Sequence, residues 1–294
     1  MLVGEYAVLD GAKCIALPTK YGQKMTVKAH RGTDLVWHSY DHEGKLWFET
    51  QISLYDFSAI HTTDEEVSKR LAKLLKNAVR LNCEFLDKWN AFKIETHLDF
   101  PKHWGLGSSS TLIHLVASWA DVNPLELYFK TEDGSGYDVA CAGVNKPIEY
   151  ICSDEEISYT PIDFNPSFKD NLFFVYSGQK QDSREAVKEY LKKVKNKNIL
   201  VQGITEIAEQ IQDVKSQADF NTLLNAHEVL IHQHTGFEMI KEKRFPKFEG
   251  SIKSLGAWGG DFILASSENG PAYIKSFFEE QKLTDIIAYK DMLK

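Results

Sequence analysis

The stretch from Phe92 to Pro124 constrains this chain more than any other. Phe92, Ile94, Thr96, Leu98 and Phe100 alternate with Lys93, Glu95, His97 and Asp99, the period of a half-buried strand, and Pro101 ends it. Trp104-Gly105-Leu106-Gly107-Ser108-Ser109-Ser110-Thr111 follows, after which Leu112, Leu115, Val116 and Trp119 return to helical spacing and Pro124 suits the first turn of another helix. The order strand, glycine loop, helix places unsatisfied N–H groups and the positive end of a helix dipole beside pliable backbone, which is the chemistry of an anion site. The loop lacks the lysine of a Walker A sequence, and it is not G-x-G-x-x-G, so a dinucleotide fold gains nothing from it. A plain glycine turn with a serine N-cap fits the same residues, so the decision falls to the rest of the chain.

Elsewhere the pattern mixes strands and helices. Met1 to Leu17 reads as a strand, a reversal at Asp10-Gly11 and a second apolar run. Strands are predicted at 24–29, 35–40 and 46–52. Over 64–82, Val67, Leu71, Leu74, Leu75, Ala78 and Leu81 recur at helical spacing behind an acidic start, Asp64 to Glu66. After an apolar run at 171–176 and a polar loop at 177–183, amphipathic helices are predicted at 184–195, 200–214 and 218–231. A glycine-rich segment at 251–267 contains the run 262–265, and a last helix is predicted at 271–281. The pattern restarts after Pro166, which suggests a division into 1–167 and 168–294.

With 294 residues, 43% of them hydrophobic and 26% charged, the chain has material for a sizeable core and no disordered or supercharged character. A net charge of −8 argues against a nucleic-acid surface and confines any phosphate site to a local feature. Cys14, Cys83, Cys141 and Cys152 form no C-x-x-C pair, so neither zinc nor a disulfide framework is indicated, and reduced thiols in a cytoplasm are expected. No run approaches the ~18 apolar residues of a membrane span, so no membrane partner is expected. His227 and His232 are five residues apart rather than four, which misses the geometry of a zinc-protease helix; together with His234 they read as helix-surface histidines.

Three separated segments resemble the signature motifs of the GHMP kinase superfamily: Gly4-Glu5-Tyr6-Ala7-Val8-Leu9-Asp10-Gly11, Gly105-Leu106-Gly107-Ser108-Ser109, and Gly256-Ala257-Trp258-Gly259-Gly260-Asp261. A fourth, Gly134-Ser135-Gly136-Tyr137-Asp138-Val139-Ala140, is similar to the stretch bearing the catalytic aspartate in mevalonate-type members, especially a phosphomevalonate kinase version. The resemblance spans nearly the whole chain. It implies an α+β architecture, with a mixed N-terminal ATP-binding domain, a ferredoxin-like C-terminal domain and a site in the cleft between them. It also implies ATP and Mg²⁺ as cofactors and a small-molecule acceptor, mevalonate or phosphomevalonate, for a protein acting as a monomer or homodimer.

By the same resemblance Asp138 is the catalytic candidate, since an aspartate beside an acceptor can orient it and take its proton. Gly105, Leu106, Gly107, Ser108, Ser109 and Ser110 would hold the triphosphate. Ser109 would face the magnesium, and Glu126 and Glu132 compete as its second ligand. Glu5, Tyr6, Gly256, Ala257, Gly259 and Gly260 fall on the acceptor side, together with Lys180, Ser183 and Arg184 of a loop that resembles a substrate loop of mevalonate-pathway kinases. Lys180 and Arg184 would neutralise a carboxylate or phosphate, and simple solvation is the alternative for both. Trp258 stands where the family has a small residue, either narrowing the pocket or joining the core. Family members carry a lysine ahead of the first motif, and neither Lys13 nor Lys20 stands at that place. Phosphorylation of homoserine or a sugar, and a catalytically silent ligand-binding relative, are the alternatives.

Overall fold

A computed structural model describes residues 1–86, 90–179, 183–256, 258 and 260–294; for Asn90, Ser183 and Arg184 it describes the backbone alone. After a 3-10 turn at Ala7–Asp10, the chain forms β1 (Cys14–Ala16), β2 (Gln23–Arg31), β3 (Asp34–Tyr40), β4 (Leu46–Ser53), β5 (Ala59–Thr62), α1 (Glu65–Leu81) and β6 (Asn90–Leu98). A 3-10 turn at Lys102–Trp104 leads to α2 (Ser108–Ala120), α3 (Pro124–Thr131), α4 (Tyr137–Ala142), β7 (Ile148–Cys152), β8 (Ile157–Pro161) and β9 (Leu172–Tyr176). The remainder is α5 (Ser183–Lys193), α6 (Lys197–Gln212), α7 (Gln217–Thr235), α8 (Ile240–Arg244), β10 (Ser251–Ser254), β11 (Phe262–Ser266), α9 (Gly270–Glu280), β12 (Ile286–Ala288) and α10 (Tyr289–Met292).

Packing divides the chain into two compact units. The first comprises Met1–Lys20, His103–Gly105 and Val144–Lys294, and the second Tyr21–Lys102 and Leu106–Gly143.

The second unit is built on a five-stranded sheet in the order β2-β6-β3-β4-β5, in which only the β3–β6 pair is parallel among the described residues. The alternation read from the sequence sends Ile94, Thr96 and Leu98 of β6 inward. Helix α1 starts at an Asp64 N-cap whose carboxylate accepts from the N–H groups of Glu66 and Val67. Its stripe of Leu71, Leu74, Leu75 and Ala78 joins Trp37, Phe48, Ile94, Ile113 and Val116 in one core, and Leu127 and Val139 bring α3 and α4 into it.

The first unit holds two antiparallel sheets. One is β1-β7-β8; the other runs β10-β11-β9-β12, the order of a ferredoxin-like split βαβ layout, with α5 to α8 between β9 and β10 and α9 between β11 and β12. Phe173, Val175, Ile252 and Ile263 pack there against Phe245, Phe248, Ile274 and Phe278. No helix among the described residues is long and apolar enough to cross a membrane.

Two expectations are corrected. The opening does not run as a strand into the reversal: Val3 makes only an isolated bridge to Ile15, because Gly4 (φ 111°) and Tyr6 (φ 62°) break the extended backbone and start the 3-10 turn. The reversal itself falls where Asp10-Gly11 placed it, with Gly11 left-handed. His227 is not on a helix surface but fully buried, whereas His232 is exposed as expected.

Candidate active site

The serine-rich end of α2 is open. Its N-cap is Gly107, left-handed at φ 78°, and no side chain caps the helix. The serines therefore do not spend their hydroxyls on the capping role that a plain glycine turn would have given them. Ser109 is exposed and Ser108 half-buried, so N–H groups and hydroxyls at this helix end are accessible to an anion. Thr111 turns back instead, its hydroxyl bonding the Gly107 and Ser108 carbonyls and Gln23 Oε1.

Ser110 points the other way. It is buried, and its hydroxyl donates to Asp138 Oδ2. Asp138 lies in the first turn of α4, and its other oxygen accepts from the N–H of Val139 at 3.0 Å. Tyr128 packs beneath Gly134 and Gly136, so the turn leading into Asp138 lies directly on an aromatic ring. Burial pushes the Asp138 carboxyl above the usual aspartate value, against the lowering effect of the Ser110 and Val139 hydrogen bonds. Burial also raises the Tyr128 phenol, with the Asp138 charge adding to the effect. The second unit thus brings Ser108, Ser109, Ser110 and Asp138 together around one helix end. A carboxylate held there, more basic than usual, is suited to orienting an acceptor and accepting its proton.

Glu126 is exposed in the first turn of α3, whose N–H groups are capped by Asn123, and Glu132 is paired with Arg70 at 3.2 Å. No cluster of three or more His, Cys, Asp or Glu side chains suited to a metal occurs among the described residues.

In the first unit the remaining motifs meet. Gly105 faces Asp261 so closely that a Cβ on the glycine would stand 2.5 Å from that carboxylate, so a larger residue would have to displace the carboxylate and would be strained at φ 67°. Asp261, at φ 44°, donates its N–H to Gln179 O at 2.7 Å and accepts from Ser177 N–H at 2.6 Å. Arg244 donates from both terminal nitrogens to the Ser177 carbonyl at 3.0 Å, holding the start of the polar loop.

Glu5 and Tyr6, expected on the acceptor side, are buried. Tyr6 stacks on Tyr190, and its hydroxyl accepts from the Trp258 N–H at 2.9 Å. Trp258 is itself buried, with its indole N–H on the Glu238 carbonyl, so of its two readings the structure gives the packed one. Gly256 is exposed at φ 63° and Gly260 is buried. Lys180, Ala257 and Gly259 lie outside the described residues, as do the side chains of Ser183 and Arg184.

Sequence reasoning missed the group around Glu5. Lys253 Nζ lies 2.9 Å from Glu5 Oε2 and 3.5 Å from Glu228 Oε1, and His227 completes the cluster, all four side chains being within the interior. Burial raises the Glu5 carboxyl, but the Lys253 ammonium beside it outweighs that effect and holds it down at about 2, while burial lifts Glu228 to about 7 and depresses His227 to about 4. A signal for His227 was present: it falls in the stripe Phe220, Leu224, His227, Ile231, whose other members are fully buried.

No protein-family model and no curated protein matches the sequence. Solved structures do match. The Methanococcus jannaschii mevalonate kinase is 17% identical over 97% of this chain and 92% of its own, with a TM-score of 0.68. Streptococcus pneumoniae phosphomevalonate kinase, in complex with phosphomevalonate and AMPPNP, is 15% identical over 96% of this chain and 94% of its own, also at 0.68. Lactococcus lactis galactokinase, complexed with galactose, is 15% identical over 96% and 88%, at 0.64. Likeness at these identities is likeness of fold, and the α+β fold of this chain is the one these GHMP kinases share.

Proposed function

We propose that this protein is an ATP-dependent kinase that transfers the γ-phosphoryl group to a small-molecule acceptor, mevalonate or phosphomevalonate. The observation that carries the reading is the Ser110–Asp138 contact at the uncapped start of α2. It puts anion-binding donors and a partly shielded carboxylate at one helix end. The fold shared with kinases of both acceptors, one of them seen with AMPPNP, supports it.

In this reading Gly105 to Ser110 cradle the triphosphate with backbone N–H groups, and Ser108 and Ser109 add hydroxyls. The acceptor oxygen attacks the γ-phosphorus, the bond from that phosphorus to the departing ADP oxygen breaks, and the proton of a hydroxyl acceptor passes to Asp138. Magnesium requires only one or two protein oxygens when phosphates supply the rest, and the exposed Ser109 and Glu126 offer hard oxygen donors of that kind. The ion would neutralise charge on the triphosphate. Assignment of Lys180, Ser183, Arg184, Gly256, Ala257, Gly259 and Gly260 to the acceptor side rests on motif resemblance, as does the domain division after residue 167.

ADP release measured over mevalonate, phosphomevalonate, homoserine, galactose and related sugars tests the proposal. One of the first two should be preferred, and turnover should vanish in Asp138→Ala. Preference for a sugar would keep the kinase and replace the acceptor, while ATP binding without turnover on any acceptor would contradict the reading.

A further inference from the structure

The first motif is strained where it turns. Tyr6 adopts φ 62°, ψ −47°, a backbone region costly for a residue with a side chain. Gly4 two residues earlier lies at φ 111°, with Cys14 so close that a Cβ would stand 2.2 Å from the cysteine Cβ. Such a turn persists only when its surroundings over-determine it.

The surroundings converge on two consecutive residues of α7. His227 Nε2 is 3.1 Å from the Gly4 nitrogen and 3.2 Å from Glu5 Oε2. Gly4 N–H can only donate, so Nε2 accepts from it and the ring proton sits on Nδ1, leaving the Glu5 charge to Lys253. Glu228 reaches the end of β10, just ahead of the third motif. Its Oε1 accepts from Ser254 N–H at 3.2 Å and its Oε2 accepts from the Ser254 hydroxyl at 3.0 Å. Lys253 ties the halves together, its ammonium donating to the Ser254 carbonyl at 2.6 Å while pairing with Glu5. The Trp258 N–H on Tyr6 Oη closes the ring of contacts between the two motifs.

We propose that His227 and Glu228 are positioning residues that lock the Gly4–Tyr6 turn to Ser254 and Trp258 and so preorganise the buried backing of the exposed Gly256 on the acceptor side. The proposal rests on the kinase reading for its functional half and on this geometry alone for its structural half. An apolar core would hold the two motifs less specifically, because it lacks the directional bonds that fix one N–H on each.

The test compares His227→Gln with His227→Asn in the full chain. Glutamine can place an acceptor oxygen near the Nε2 position, whereas the shorter asparagine reaches only as far as Nδ1, and both keep a polar amide. Amide hydrogen exchange should rise at least tenfold at Gly4 and Trp258 in His227→Asn and stay near wild type in His227→Gln. With the acceptor found in the panel, kcat/KM for that acceptor should fall at least tenfold in His227→Asn and recover in His227→Gln, while the ATP KM stays within twofold. Glu228→Gln, which can keep both Ser254 bonds, should resemble wild type, and Glu228→Ala should loosen Ser254. Equal exchange in the asparagine and glutamine variants would overturn the proposal, as would acceptor and ATP kinetics declining together. If the wild type phosphorylates nothing, the kinase reading fails separately and the exchange comparison still decides the lock.

Discussion

The Ser110 hydroxyl donates to Oδ2 of Asp138, joining the serine-rich start of α2 to the aspartate of the fourth motif. Because this bond stabilises the charged carboxylate, removing it leaves burial less opposed.

Ser110→Ala is therefore expected to shift the acid limb of the pH profile of kcat/KM toward higher pH. It should also lower kcat at neutral pH by roughly tenfold, the size of one hydrogen bond to a charged group. The profile of purified enzyme checks this, and a limb that stays in place would detach Ser110 from Asp138.

The buried cluster sets opposing pH dependences of stability. Glu228 titrates at 4.5 ordinarily and at about 7 when folded, so between those values the folded protein keeps a proton that the unfolded chain has lost, and stability falls as pH rises. His227 goes from 6.5 to about 4, so across its window the unfolded chain binds the proton first and stability rises with pH. These two slopes cancel between about 4.5 and 6.5. Urea midpoints over that range should rise with pH in Glu228→Gln, fall in His227→Gln, and differ from each other; parallel profiles in the two variants would show that neither group titrates as described.

Much of the fold was legible because burial follows a period. The stripe of α1, the alternation of β6 and the long patterns of α5 to α7 all appear near their predicted places. What was missed lacks a period or depends on distant partners. Strand β8 is an edge with exposed Ile157 and Tyr159, so it shows no inward face, and α4 is a short helix hidden inside a glycine-rich motif. The loop, Asp138 and the serines were readable as chemistry, but nothing in the sequence said that Ser110 rather than Ser109 would turn inward. Lys253 sits in a strand buried on every residue, and a lysine there becomes intelligible only once Glu5, far earlier in the chain, is seen beside it. His227 was misread because its polarity outweighed the apolar stripe in which it stands.

Gly105→Ala should destabilise the protein by about 1–3 kcal/mol, since the glycine combines φ 67° with the Asp261 carboxylate at close range. In Gly105→Ala/Asp261→Gly the steric part of that loss should be relieved, making the double variant more stable than the sum of the singles. Denaturant midpoints of the four proteins measure the coupling; strict additivity would mean that the two residues do not meet.

In the proposed function Asp138 acts on the acceptor at the uncapped start of α2. The most direct test of this role is single-turnover phosphoryl transfer in Asp138→Asn, with ATP affinity measured on the same preparation. The rate should fall at least about a hundredfold, within the range for loss of a positioned general base, while ATP binds within twofold of wild type. Transfer within a few-fold of wild type in the folded variant would contradict it.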